Sequence, residues 1–137
     1  MQPNLASAAK ATAVTFTGSI GEISNFNTVP IDGHTLDHFD IVGTMVGDIA
    51  GPFTWIEDRT IYYNNDGAIS YAKLAAICDV TTSAGHVVIE IKSTLVLDGG
   101  YVSKTGSWTI VGGTGLMATL TGKGTFTFSF QFEGTIR

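Results

Sequence analysis

In the stretch Pro52 to Tyr63, PFTWIEDRTIYY, a carboxylate and a guanidinium stand two residues apart among aromatic side chains. One parity carries Phe53, Trp55, Glu57, Arg59, Ile61 and Tyr63; the other carries Thr54, Ile56, Asp58, Thr60 and Tyr62. Alternate side chains of an extended strand share a face, so Glu57 and Arg59 point the same way with Cα atoms about 6.5–7 Å apart. If the aromatic parity faces a core, the two charges need each other, because an unpaired buried charge is costly. Arg59 is the only arginine apart from the terminal Arg137. A guanidinium in apolar surroundings can anchor an oxyanion or a carboxylate. A glutamate beside it is a candidate general acid or base with a shifted pKa. Glu57 and Arg59 are therefore the candidate catalytic pair. In the alternative register they form a solvated outer-face pair, with Ile56 and Tyr62 inside. Trp55, Tyr63, Tyr71, Trp108, Phe128 and Phe130 are the candidate lining of an apolar ligand site, although aromatic side chains more often simply pack.

Other constellations carry less. Asp32-Gly33-His34-Thr35-Leu36-Asp37-His38-Phe39-Asp40 has two histidines four apart and three aspartates. On a helix these would be metal ligands, but Gly33 does not favour one, and His86 is the only other histidine. The expectation is a polar loop and no metal site. Gly113-Thr114-Gly115-Leu116-Met117-Ala118 matches G-x-G-x-x-A, yet Thr-Leu-Thr-Gly follows at once and leaves no room for the helix of a dinucleotide fold. A tight glycine turn between two strands is expected there. Cys78, the single cysteine, sits among Leu74, Ala75, Ala76 and Ile77 and reads as a small buried hydrophobe. It excludes an internal disulfide and a multi-cysteine zinc site. G-x-S-x-G is absent.

The elements that must position these residues are strands. The chain has 19 Thr, 13 Ile and 10 Val against 7 Leu, and 17 glycines among 137 residues. That balance favours many short strands with glycine turns over long helices. From Gly124 to Arg137, Phe126, Phe128, Phe130, Phe132 and Ile136 alternate with polar residues, the pattern of a strand with one dry face. Gly134 on that face suggests a bend or a close neighbour. Val87, Ile89, Ile91, Leu95 and Leu97 repeat the pattern, as do Trp108 with Ile110, and Val14 with Phe16 and Ile20. Strands are expected near 12–23, 40–49, 53–63, 68–80, 86–97, 102–111 and 121–136, the last with a possible break. Asn65-Asp66-Gly67, Ser83-Ala84-Gly85, Asp98-Gly99-Gly100 and Ala50-Gly51-Pro52 are the turn signals. Residues 24–39 show no strand pattern and read as a long loop, a lid or mouth element. Ile41 to Ile49 is apolar on both parities; a covering loop or a subunit interface would explain it. The expected architecture is a single all-β domain, a closed antiparallel barrel of about eight strands in meander order, which removes exposed edges and leaves room for one small ligand.

Composition narrows the partners. With 7 Lys plus Arg, 12 Asp plus Glu and a net charge of −5, no basic stripe is available for nucleic acid or an acidic membrane surface. No apolar run is long enough for a membrane-spanning helix. The first ten residues lack a signal-peptide pattern, which tilts the expectation toward the cytoplasm.

One segment carries a family resemblance. Ser107-Trp108-Thr109-Ile110-Val111-Gly112-Gly113-Thr114-Gly115-Leu116-Met117-Ala118, followed by Leu120-Thr121-Gly122-Lys123-Gly124, resembles the strand, G-G-T-G, short turn, A-x-x-x-G-x-G, strand signature of the allene oxide cyclase and dirigent-type barrels. It is equally similar to small bacterial proteins on that barrel. Within it, glycines make the corner and Leu116 and Leu120 are placed to plug the barrel end. The resemblance implies an eight-stranded antiparallel barrel, a homo-oligomer (dimer or trimer), an apolar central cavity, and no metal or organic cofactor. In the plant families the cavity steers cyclisation or coupling of a hydrophobic intermediate. Their catalytic residues do not carry over, because no motif outside the glycine segment aligns. Three functions are therefore expected, in order: binding of a small hydrophobic molecule, a cofactor-free cyclase or isomerase using Glu57 and Arg59, and a structural barrel with a packed interior.

Overall fold

The computed structural model describes residues 10–97, 101–103, 106–127 and 130–137. Among the described residues nine strands follow one another: β1 (Thr12–Ile31), β2 (His34–Gly47), β3 (Gly51–Tyr63), β4 (Ile69–Thr82), β5 (Gly85–Leu97), β6 (Tyr101–Ser103), β7 (Gly106–Gly113), β8 (Gly122–Thr127) and β9 (Gln131–Ile136). A 3-10 turn, Gly115–Met117, is the only helical element among the described residues. Every pairing is antiparallel and follows chain order. β6 and β7 lie along one edge of β5, so they act as a single interrupted strand. β9 then pairs with β1, which closes the hydrogen bonding into a ring of eight. Strand composition and turn chemistry agree here. Asn64 Oδ1 accepts hydrogen bonds from the amides of Asp66 and Ala68 at 3.0 and 3.1 Å, and Gly67 takes the positive φ of 78° that this β3–β4 turn requires. The Asp98-Gly99-Gly100 signal lies outside the described residues.

The ring interior is packed in its lower part. Phe16 stacks on Phe132 at 4.6 Å between centroids and meets Trp108 edge-on at 5.2 Å. Val80, Val87, Ile89 and Ile91 complete the layer, all fully buried. Trp108 needs space, and two glycines supply it. Gly124 and Gly134 are directly paired between β8 and β9. A Cβ on Gly134 would fall 2.6 Å from the Trp108 ring and onto the carbonyl of Lys123, so the expectation of a close neighbour at Gly134 holds. The Trp108 indole N–H donates to the Glu133 carbonyl at 3.0 Å.

Three expectations are corrected. Residues 24–39 are not a loop: β1 and β2 form one long hairpin through them. Two bulges interrupt its register, between Ile20 and Glu22 and between Ser24 and Asn27, each adding one residue to β1. The second bulge breaks the two-residue period between Ser24 and Asn27, and residues 24–31 are exposed on both parities, so no dry face marks them as a strand. Gly124 to Arg137 is not one continuous strand: it is broken, as the alternative allowed, into β8 and β9, which form a hairpin with Thr127 opposite Gln131 and Phe130 at φ 56°. Phe126 pairs with Phe132 and Gly124 with Gly134. Even positions therefore face even positions across the turn, and the alternation continues as if the strand were unbroken. Leu116 is 85% exposed and plugs nothing. Met117 and Leu120 of the same turn pack against the core instead, while the Leu116 amide bonds the Ala84 carbonyl at 2.9 Å.

The twice-apolar segment is explained in part. Ile41, Met45 and Ile49 are buried, whereas Val42 and Val46 are 42% and 55% exposed. No described loop covers that outer face.

Candidate functional site: a buried ion pair at the open end of the ring

β1 outruns its neighbour. Its pairing with β9 ends at Thr17–Gln131, the Gly18 amide caps the Phe130 carbonyl at 2.9 Å, and β1 continues to Ile31 with β2 alone. At this end the ring holds a cavity of about 370 Å³, within the range of small-molecule sites. Ile20, Ile23 and Phe26 of the projecting β1 form one wall. They are spaced by three residues, and the two bulges are what bring them to a single face. Phe39 and Ile41 come from β2, Leu74 from β4, and Phe126 and Phe130 from the β8–β9 hairpin. Trp55, Glu57 and Arg59 of β3 complete it. A shallower groove of about 620 Å³ between Lys73, Lys92 and Ser107 is larger, but its lysines are exposed and its buried polar residue is the neutral Ser93 rather than a charged pair.

The β3 parity question is resolved in favour of the inward face. Phe53, Trp55 and Glu57 are buried, whereas Ile56 is half exposed. Glu57 is only 2% exposed. Its Oε2 receives Arg59 Nε at 2.9 Å and Arg59 Nη2 at 2.7 Å, and its Oε1 receives the Trp55 indole N–H at 3.0 Å. Arg59, its side chain 23% exposed, also lies over the Phe39 ring at 5.6 Å, a cation–π contact. Phe39 in turn stacks with Phe26 at 5.9 Å. Burial pushes the Glu57 carboxyl above its ordinary range; the Arg59 charge and the Trp55 hydrogen bond pull it back only in part. The arrangement can therefore hold a proton and present N–H donors from Arg59 beside an apolar wall.

Of the candidate lining residues, Trp55 and Phe130 are in the wall, meeting edge-on at 5.0 Å. Phe128 lies outside the described residues. Tyr63, Tyr71 and Trp108 are elsewhere. Tyr63 is the last residue of β3 and is exposed, with its hydroxyl 3.3 Å from Thr35 Oγ1. Tyr71 stacks on Tyr62 at 4.5 Å, beyond the cavity. Trp108 belongs to the packed lower core. Phe126 was legible from its parity with Phe130, whereas Ile20, Ile23 and Phe26 were hidden by the bulges.

The remaining candidates resolve into local pairings. His38 Nδ1 is 2.7 Å from Asp58 and its Nε2 is 3.5 Å from Asp40. The hydrogen bond to Asp58 chiefly raises its pKa, against partial desolvation. His34 Nδ1 sits 3.2 Å from the Asp32 carbonyl. Among the described residues no three His, Cys, Asp or Glu side chains converge as metal ligands. Cys78 is buried in the core, and burial, with Asp79 nearby, pushes its thiol up to about 12, so it is no nucleophile near neutral pH.

Comparison with protein-family models, with curated proteins and with solved structures finds no match to this chain.

Proposed function

We propose that this protein binds a small hydrophobic molecule in the cavity at the open end of the ring. The observation that carries the reading is the combination of an apolar wall with one buried, fully paired polar cluster, Glu57–Arg59–Trp55. Small-molecule sites are typically mostly apolar with a few placed polar groups, and a barrel interior serving structure alone has no need of a buried ion pair, which is weak as a source of stability. On this reading the ring is a closed barrel of the allene oxide cyclase and dirigent type, as the glycine segment suggests. Two exposed valines on β2, with Ile56 and Ile77 on the same outer surface, support a homo-oligomer through that face, and no basic stripe supports a nucleic-acid partner. A saturable, one-to-one affinity for a neutral apolar fluorophore is the expected result. Ile23→Trp, at the exposed rim, should block it without unfolding the protein; binding that ignores Ile23→Trp would place the fluorophore elsewhere and end the reading.

A cofactor-free cyclase or isomerase is the second reading. The raised Glu57 carboxyl beside a cavity favours it. Glu57→Gln with intact folding and lost turnover on an apolar substrate is its signature.

A further inference from the structure

The cavity wall contains two ionisable residues among its described members, Glu57 and Arg59; the others are Ile, Leu, Phe and Trp. Their charges cancel at 2.7 Å. The cancellation is built in rather than awaiting a guest. Glu57 is nearly inaccessible, and both its oxygens are already occupied, one by Trp55 and the other by Arg59. Arg59 is the more exposed partner. A guanidinium has five N–H donors, of which two serve Glu57, so donors remain for a hydrogen-bond acceptor on a guest.

A carboxylate or sulfonate entering this site would meet one positive charge already matched by a negative one. The cavity would then hold an uncompensated anion in an apolar wall, which is strongly unfavourable. An ether, carbonyl or hydroxyl oxygen could accept from Arg59 without upsetting the balance. We infer that the cavity selects an uncharged guest, an apolar body carrying a hydrogen-bond acceptor, and that Glu57 sets this choice by cancelling the Arg59 charge in advance. This rests on the cavity being a binding site, and it assigns Glu57 a role in specificity whether or not it takes part in any reaction.

Two fluorophores of one ring system separate the cases: phenylnaphthylamine, which is neutral, and its sulfonated analogue anilinonaphthalene sulfonate. At neutral pH the full-length protein should bind the neutral probe at least about tenfold more tightly, since an unmatched charge at a desolvated site costs that much or more. Glu57→Gln frees the Arg59 charge and should shift the ratio of sulfonate to neutral-probe affinity by about tenfold toward the sulfonate. Should Glu57→Gln fail to fold, calorimetry of the unsubstituted protein in buffers of different ionisation enthalpy decides. Sulfonate binding must then draw in about one proton, taken up by Glu57 to restore neutrality, or be undetectable. Equal affinity for both probes with no proton uptake overturns the inference and leaves the binding site standing. Binding of neither probe overturns both.

Discussion

Replacing Glu57 by Gln tests whether the ion pair is one coupled unit. The carboxylate accepts three N–H contacts, at 2.7, 2.9 and 3.0 Å. At 2.7 Å the attraction between unit charges is about 6 kcal/mol at an effective dielectric near 20. Desolvating a carboxylate that is 2% exposed offsets much of that. Removing one partner is another matter, because Arg59 keeps its charge and loses its counter-ion. The amide oxygen of Gln accepts from Trp55 or from Arg59, and its NH2 group opposes the guanidinium. Breaking a buried pair costs about 3–5 kcal/mol; Arg59 retains some solvent, so about 2–4 kcal/mol is expected here. For a chain of this size, with a urea m-value of about 2 kcal/mol/M, the midpoint should fall by about 1–2 M. Arg59→Met should cost less, because a buried carboxyl left alone can protonate. The double variant should be about 1.5–3 kcal/mol more stable than the sum of the singles implies. Equilibrium urea unfolding followed by Trp fluorescence and by circular dichroism measures all four corners. A loss below about 0.5 kcal/mol for Glu57→Gln, or strict additivity, would refute the claim that these groups depend on each other.

Three further outcomes are expected. Gly134→Ala drives a methyl into Trp108 and the Lys123 carbonyl and should cost about 2–3 kcal/mol, with a loss of near-ultraviolet dichroism from Trp108; a neutral effect would mean the two strands sit further apart. The raised carboxyl of Glu57 makes the folded state the better proton binder between the ordinary carboxyl value and the folded one. Its contribution to stability is therefore complete below the ordinary carboxyl value and is lost as pH rises through the folded value, and Glu57→Gln should flatten that part of a urea-unfolding stability profile measured against pH. Phe26→Ser, at a site 63% exposed, should change stability by no more than about 0.5 kcal/mol yet weaken the neutral probe about fivefold; an unchanged affinity would remove the projecting β1 hairpin from the site.

Much of the site was readable one residue at a time. Glu57 and Arg59 share a parity with Trp55, and the structure turns that parity inward. Phe130 followed from the same rule, and Phe126, which shares its parity, was not singled out. Where the rule failed, it failed for definite reasons. The β8–β9 turn preserves alternation because even residues pair with even residues, so a hairpin and a strand look alike. A β1 bulge and the exposure of residues 24–31 on both parities leave no alternation there, so a strand looked like a loop. Tyr63 keeps the favoured parity, but it is the last residue of β3 and stands in solvent.

What the chain dictated alone was the strand class, the glycine and asparagine turns, and which side chains share a face, because these depend on local sterics and a period of two. Which strands meet, where β1 outruns β9, and how three residues at intervals of three reach one wall were decided by the ring. Closing eight strands fixes their registers against one another, and no local pattern encodes a register between segments distant in sequence.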